Sequence, residues 1–308
     1  MSWNTHSMPD LTGRVVVITG GNSGIGLEAA RQFVRAGAEV VLACRDQAKG
    51  EQARNAIGGR AGQARVTPLD LADLDSVASA AKRLADEHQK IDVLVANAAI
   101  MGGRRLDTAQ GHERQMGTNH LGHFALVAQL WSSVLAAAGR VVVVSSIASR
   151  GGRLTAGITE RDLADPVPYV PQKIYANTKQ ANLLFAQELH RRTTAVGQPV
   201  RVIACHPGVS WTNLFPRQLA DEGRGWLVPV ARILGPVVLQ SGAAGALPTL
   251  RASVDPEIPG GAFVGPSLLG QTRGAPKVVD VFPQGRDVAT AQRLWQLSES
   301  LTGVPFPV

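Results

Sequence analysis

The chain carries only two cysteines, Cys44 and Cys205, each inside an apolar run. Two thiols are too few for a disulfide framework or a cysteine-based zinc cluster, and they suit a reducing compartment. No uninterrupted apolar run reaches the roughly 18 residues of a membrane span. The polar opening, Met1 to Asp10, lacks a signal-peptide core, so the expected location is cytoplasmic. Basic tracts are missing too. The formal net charge is +7, yet Arg104-Arg105 and Arg191-Arg192 are pairs, not tracts. That argues against nucleic acid as a partner and leaves a mild preference for anionic ligands. Repeats and low-complexity segments are absent. His120 and His123 have no acidic or cysteine partner set beside them, so no metal site is expected.

What remains is a globular composition. The 308 residues are 44% hydrophobic and 18% charged, which suits one large α/β domain. The expected division is a polar tail over residues 1–10 and a single domain over 11–308. Short β-branched runs recur at 14–19, 39–43, 65–69, 91–96, 140–144 and 200–205, with a short last strand at 262–264. Helical stretches lie between or after them, at 25–36, 74–87, 112–138, 175–192, 240–252 and 286–301. Continuously apolar strands alternating with helices predict a doubly wound parallel sheet with helices on both faces. Irregular excursions interrupt the alternation at 151–173 and 210–236.

The first strand runs directly into Thr19-Gly20-Gly21-Asn22-Ser23-Gly24-Ile25-Gly26. A glycine-rich turn between a buried strand and a helix can bind a pyrophosphate. Gly20 permits the tight turn, Gly24 a close backbone approach, and Gly26 close packing of the helix on the sheet. The second strand ends in Ala43-Cys44-Arg45-Asp46. An acid there would bond a ribose 2′-hydroxyl, and an Arg would pair with a 2′-phosphate. Cys44 takes the acid's place and Arg45 follows, which favours NADP(H) over NAD(H). Asp46 reads as the N-cap of a helix over 47–55.

Tyr175 and Lys179 stand four apart, hence on one helix face. A phenol with a pKa near ~10 is a poor base at neutral pH, but a nearby ammonium and an oxidised nicotinamide favour the phenolate. Tyr175 can then take a proton from an alcohol or give one to a forming alkoxide. Ser146 offers a hydroxyl to a carbonyl oxygen. Blander readings stand beside these. A Tyr and a Lys four apart occur by chance, Ser146 can cap a strand end, Ser145 competes with it, and Asn119 can simply bend a helix.

The TGxxxGxG spacing is followed by Thr118-Asn119-His120-Leu121-Gly122-His123-Phe124, Val144-Ser145-Ser146, Tyr175-Ala-Asn-Thr-Lys179 and Pro207-Gly208. In this order the chain resembles the short-chain dehydrogenase/reductase family over about residues 12–265. TNHLGHF and the insertion before Tyr175 are similar to the retinol-dehydrogenase-like branch, which also resembles light-dependent protochlorophyllide reductases and the WW-domain oxidoreductases. The resemblance implies a seven-stranded, mostly parallel Rossmann sheet of order 3-2-1-4-5-6-7 and a catalytic set of Asn119, Ser146, Tyr175 and Lys179. Lys179 would also hold the nicotinamide ribose, and Asn119 would anchor a water leading to Lys179. The implied cofactor contacts come from Gly20, Asn22, Ser23, Gly24, Ile25, Gly26, Arg45, Asp70, Leu71, Asn97, Ala98, Ala99, Tyr175, Lys179, Pro207, Gly208, Val209 and Thr212. Ala96-Asn97-Ala98-Ala99 departs from the family's NNAG and leaves the adenosine contacts open.

His206 reads as a packing residue. The family covers its substrate with the segment after Pro207-Gly208. Here that segment would be an apolar lid carrying Trp211, Leu214, Phe215 and Trp226, suited to a hydrophobic carbonyl or alcohol. The alternative is that these side chains pack on the body or on a partner subunit. Homodimers or homotetramers through the helices after strands four and five are also implied. Two other activities stay open: reduction of an activated C=C bond, and a non-catalytic, dinucleotide-sensing interaction role. The mark of the latter would be loss of Tyr175, Lys179 or Ser146, and all three are present.

Overall fold

The computed structural model describes residues 3–59, 63–209 and 240–308. Six strands match the apolar runs: β1 (Val15–Thr19), β2 (Glu39–Cys44), β3 (Ala64–Pro68), β4 (Val93–Ala96), β5 (Arg140–Val144) and β6 (Arg201–Cys205). Their continuous apolarity has a direct cause. Successive side chains of a strand point to opposite faces, and both faces are covered. In β5, Val141 and Val143 enter one core, while Val142 and Val144 enter the other.

The first core is shared with α3 (Leu74–Glu87), α5 (Gly122–Gln129) and α8 (Pro171–Ala195). The second is shared with α1 (Gly24–Arg35) and α9 (Gly242–Val254). The helix α2 (Gln47–Ile57) starts where expected, with the Asp46 side chain accepting from the Lys49 amide.

The parallel strands run β3-β2-β1-β4-β5-β6 and continue into β7 (Phe263–Leu268). The direction of winding reverses between β1 and β4, so the crevice of this fold opens above their C-terminal ends. Among the described residues the sheet has eight strands, not the expected seven. β8 (Arg273–Val279) lies antiparallel on β7 at the sheet edge. Its sequence, RGAPKVV, hides it: an edge strand buries little, and it carries Pro276 and Lys277, which a central strand would exclude.

The single helix expected over 112–138 is broken. α4 (Arg114–Met116) passes into a wide π turn at Gly117–Leu121, then α5, then α6 (Trp131–Ala136) after a kink at Leu130. Gly122 lies so close to the Leu71 carbonyl oxygen that a Cβ would collide with it. A short α7 (Glu160–Ala164) lies inside the excursion before α8.

The last helix, α10 (Val288–Thr302), packs across α8 and α5. Its Trp295 lies 5.3 Å from the ring of Phe124 and 4.8 Å from that of Phe306. Phe185 completes the cluster. α10 and the C-terminus thus pack against the two helices to which the resemblance assigns subunit contacts. Among the described residues, no helix is long and apolar enough to cross a membrane.

Candidate active site

A cavity of about 680 Å³ opens at the C-terminal ends of β1, β2, β4 and β5. It gathers residues that are far apart in sequence. Gly20, Asn22, Ser23, Gly24, Ile25 and Gly26 form one wall with Arg45. Asp70, Leu71, Asn97, Ala98 and Ala99 form another. Ser146, Tyr175, Lys179 and Pro207 close the far end. Gly208 and Val209 are not in the wall: a Cβ on Gly208 would collide with the Thr272 carbonyl oxygen, and the Val209 amide donates to that same oxygen. Thr212 and the lid positions Trp211, Leu214, Phe215 and Trp226 lie outside the described residues.

The glycine turn fits a dinucleotide. Gly20 and Gly24 hold φ of +65° and +55°, which other residues rarely adopt. A Cβ on Gly26 would sit 2.5 Å from the Gly20 carbonyl oxygen and 2.6 Å from Asn97 Nδ2, so α1 packs directly on the turn. The Ser23 side chain does not cap α1, which leaves the N-terminal N–H groups for an anionic group.

At the other end, Arg45 is 69% exposed and lies 3.9 Å from Asp70 Oδ2. Asp70 Oδ1 accepts from the Ala72 amide. Lys49, also in the wall, pairs with Asp46. This end therefore carries two cations, and neither is buried.

The far end is built on α8, which starts at Pro171, a residue suited to the first helical turn. Tyr175 keeps part of its surface open, yet burial pushes its phenol up to about 12, against a hydrogen bond with Ser146 that lowers it. Lys179 is only 2% exposed, and burial pulls its ammonium down to about 8. Its Nζ donates to the Val144 carbonyl at 3.1 Å and lies 5.8 Å from the centre of the Tyr175 ring. The neighbouring serines divide their tasks. Ser145 is buried and donates to the Lys179 carbonyl at 2.7 Å, while Ser146 faces Tyr175. Strand-like alternation at the end of β5 points one each way.

Asn119 is fully buried in the π turn and is not part of the cavity wall. Its Oδ1 accepts from the Ile100 amide at 2.8 Å, and its Nδ2 donates to the Ile100 carbonyl at 2.9 Å and to Thr178 Oγ1 at 3.0 Å. Thr178 Oγ1 in turn donates to the Tyr175 carbonyl at 2.8 Å. The sequence reading missed Thr178 and Thr19. Thr19 Oγ1 accepts from the amides of Asn97 and Ala98 and contacts His123. The only sequence signal for either was membership of a motif whose other letters drew attention.

His120 and His206 also bond protein groups. His120 Nε2 lies 2.9 Å from Ser298 Oγ, and His206 Nε2 lies 2.9 Å from Gln271 Oε1. Among the described residues, no cluster of three or more His, Cys, Asp or Glu can hold a metal. Both cysteines are free and buried, and burial pushes Cys44 up to about 11 and Cys205 up to about 12, so neither is a reactive thiolate.

The chain is similar to several known proteins. A family model described as short chain dehydrogenase matches residues 14–157. Retinol dehydrogenase 14 of Mus musculus is 33% identical over 310 residues, covering 95% of this chain and 86% of its own length. The WW domain-containing oxidoreductase of Danio rerio is 38% identical over 304 residues, covering 95% of this chain and 69% of its own. Among solved structures, an uncharacterised protein from Mycobacterium paratuberculosis matches over 100% of both chains, with a TM-score of 0.82 and 39% identity. A protein from Beutenbergia cavernae, assigned as an NAD(P)-dependent gluconate 5-dehydrogenase and carrying NADP at low occupancy, matches with a TM-score of 0.59 and 26% identity, over 80% of this chain and 91% of its own.

These similarities place the chain among the NAD(P)-dependent oxidoreductases acting on CH–OH groups. The chain belongs to the short-chain dehydrogenase/reductase family, in its retinol-dehydrogenase-like branch.

Proposed function

We propose that this enzyme interconverts a carbonyl and an alcohol on a hydrophobic small molecule and prefers NADP(H). The observation that carries the reading is the meeting of Ser146, Tyr175 and Lys179 at one end of the cavity that the glycine turn and Arg45 enclose. When bound, the nicotinamide supplies or accepts the hydride. The protein's part is to hold the oxygen and to move its proton. Tyr175, a phenol at neutral pH, gives its proton to the carbonyl oxygen in reduction. Ser146 bonds the same oxygen and keeps it in reach. Lys179 offsets the negative charge left on Tyr175 and bonds the ribose. Asn119 acts from behind, tying the Ile100 backbone to Thr178 beneath the Tyr175 turn.

At the adenosine end, Arg45 supports the 2′-phosphate preference, because a cation so lightly paired is available to a new anion. The apolar substrate class is supported by the retinol dehydrogenases among the relatives, since retinol is a largely apolar alcohol. The two buried thiols suit a cytoplasmic location.

A panel of apolar and polar ketones, aldehydes and alcohols, assayed with NADPH or NADP⁺ and followed by product identification, tests the reading. The expected products are alcohols from carbonyls, with efficiency rising with apolar size. Products saturated at a C=C bond would replace this reaction with the rival one. Turnover by Tyr175→Phe should fall by at least ~10²-fold, and retained turnover would remove Tyr175 from the mechanism.

A further inference from the structure

We propose that His123 is a positioning residue, which in one neutral tautomer ties the Asn119 turn to the floor of the cofactor cavity. The proposal rests on the reading of the site given above.

His123 is 2% exposed and lies one helical turn beyond Asn119. Its Nδ1 is 2.9 Å from the Asn119 carbonyl oxygen, and its Nε2 is 2.8 Å from Thr19 Oγ1. A carbonyl oxygen only accepts, so Nδ1 carries the hydrogen and Nε2 is left as an acceptor. Thr19 Oγ1 already accepts from the amides of Asn97 and Ala98, each at 2.9 Å. Its one hydrogen therefore points outward, either to Nε2 or to the Val95 carbonyl at 3.3 Å. The shorter bond to Nε2 satisfies every group. The opposite tautomer would aim Nε2–H at an oxygen with both acceptor positions filled and leave the Asn119 carbonyl facing a bare nitrogen. The chain of bonds has one direction.

What this chain joins gives it a role. Asn97 and Ala98 line the cavity, and Asn97 Nδ2 also donates to the Thr19 carbonyl at 2.8 Å. Asn119 holds Thr178, which bonds the carbonyl of Tyr175. His123 thus links the strand ends beneath the cofactor to the helical turn that carries the proton donor. The link sits at a π turn, a helical irregularity frequent at functional sites. Losing it would let the two halves shift relative to each other, and misplacements of about 1 Å cost up to about 10²-fold in rate.

The test compares His123→Phe and Thr19→Val, which cut the link, with Thr19→Ser, which keeps the hydroxyl. The full chain is used, and Tyr175→Phe is the control. Both cutting variants should lose at least about tenfold in kcat, with KM for the carbonyl substrate changed by less than about threefold. Thr19→Ser should recover most of the rate. Nitrogen NMR of histidine-labelled wild-type protein should show His123 with Nδ1 protonated and Nε2 bare from pH 6 to 8. An Nε2–H tautomer, or a folded His123→Phe enzyme with undiminished kcat, overturns the proposal. The NMR result decides if the cutting variants do not fold. If Tyr175→Phe also keeps full turnover, the reading of the site itself has failed. If only Tyr175→Phe loses turnover, the positioning role alone has failed.

Discussion

Lys179 Nζ lies 5.8 Å from the centre of the Tyr175 ring and donates to the Val144 carbonyl at 3.1 Å. The ammonium is thus anchored to the end of β5, one turn along α8 from the phenol whose charge it would balance. Burial acts on the pair in opposite directions, raising Tyr175 to about 12 and lowering Lys179 to about 8. Both groups are protonated at neutral pH.

Carbonyl reduction should depend on pH through Lys179. Lys179 is charged below about pH 8 and neutral above it, whereas Tyr175 keeps its proton well beyond that point. The kcat for carbonyl reduction should be level from pH 6 to about 8 and fall above it, as the supporting charge is lost. A steady-state profile with saturating NADPH checks this; a rate still rising at pH 9 would show that the ammonium is not required.

Arg45→Ala should weaken NADPH binding by about tenfold or more, the worth of one charge-assisted hydrogen bond. NADH binding should change little, since the 2′-phosphate is the group Arg45 is assigned to meet. Fluorescence titration of both cofactors measures the difference. Equal losses for the two would remove Arg45 from cofactor selection.

Gly26→Ala places a methyl 2.5 Å from the Gly20 carbonyl oxygen and 2.6 Å from Asn97 Nδ2. Overpacking of this kind costs about 1–3 kcal/mol. Here it also pushes α1 off the turn, so cofactor affinity should fall together with Tm. Unchanged affinity would mean that the turn tolerates displacement.

Trp295→Ala should cost about 3–5 kcal/mol, as expected for a large aromatic deleted from a packed cluster. Trp295→Phe should cost much less. The indole N–H has no hydrogen-bond partner among the described residues, so its removal leaves no group behind that needs one. Denaturant melts of the two variants give the comparison.

Acid should destabilise the protein through its buried imidazoles. Burial lowers His120 to about 3 and His123 and His206 to about 4, from an ordinary 6.5. The unfolded chain therefore binds more protons than the folded one between pH 6.5 and about 3. Stability is fully present above pH 6.5 and is lost as pH falls through that window. Denaturation midpoints at pH 7.5, 6 and 5 should decline in that order.

Local rules made much of this molecule legible in its sequence. Burial on both faces forces central parallel strands to be continuously apolar, which marks β1, β2, β4, β5 and β6. Helical periodicity puts Tyr175 and Lys179 on one face wherever that helix lies. The turn from Gly20 to Gly26 needs residues without side chains, whatever surrounds it. Each of these follows from neighbours along the chain, and so it is written in spacing alone.

Contacts between distant segments are different, because nothing local demands them. β8 is a strand only because β7 offers it an edge, and its Pro276 and Lys277 would argue for a loop. The π turn at Gly117–Leu121 lies inside a stretch whose apolar pattern suits an unbroken helix. Thr19 and His123 are 104 residues apart, yet the crossover from β1 to β4 stacks the strand end of one under the helix of the other. α10 covers α5 and α8 because an aromatic cluster drawn from three helices and the C-terminus can close only in three dimensions. The sheet's central strands and the chemistry-bearing motifs can be read along the chain, since periodicity and glycine content are local properties. Which serine faces Tyr175, what holds Asn119 and what packs on the long helices depend on hydrogen bonds and packing between groups that the fold alone brings within a few ångströms.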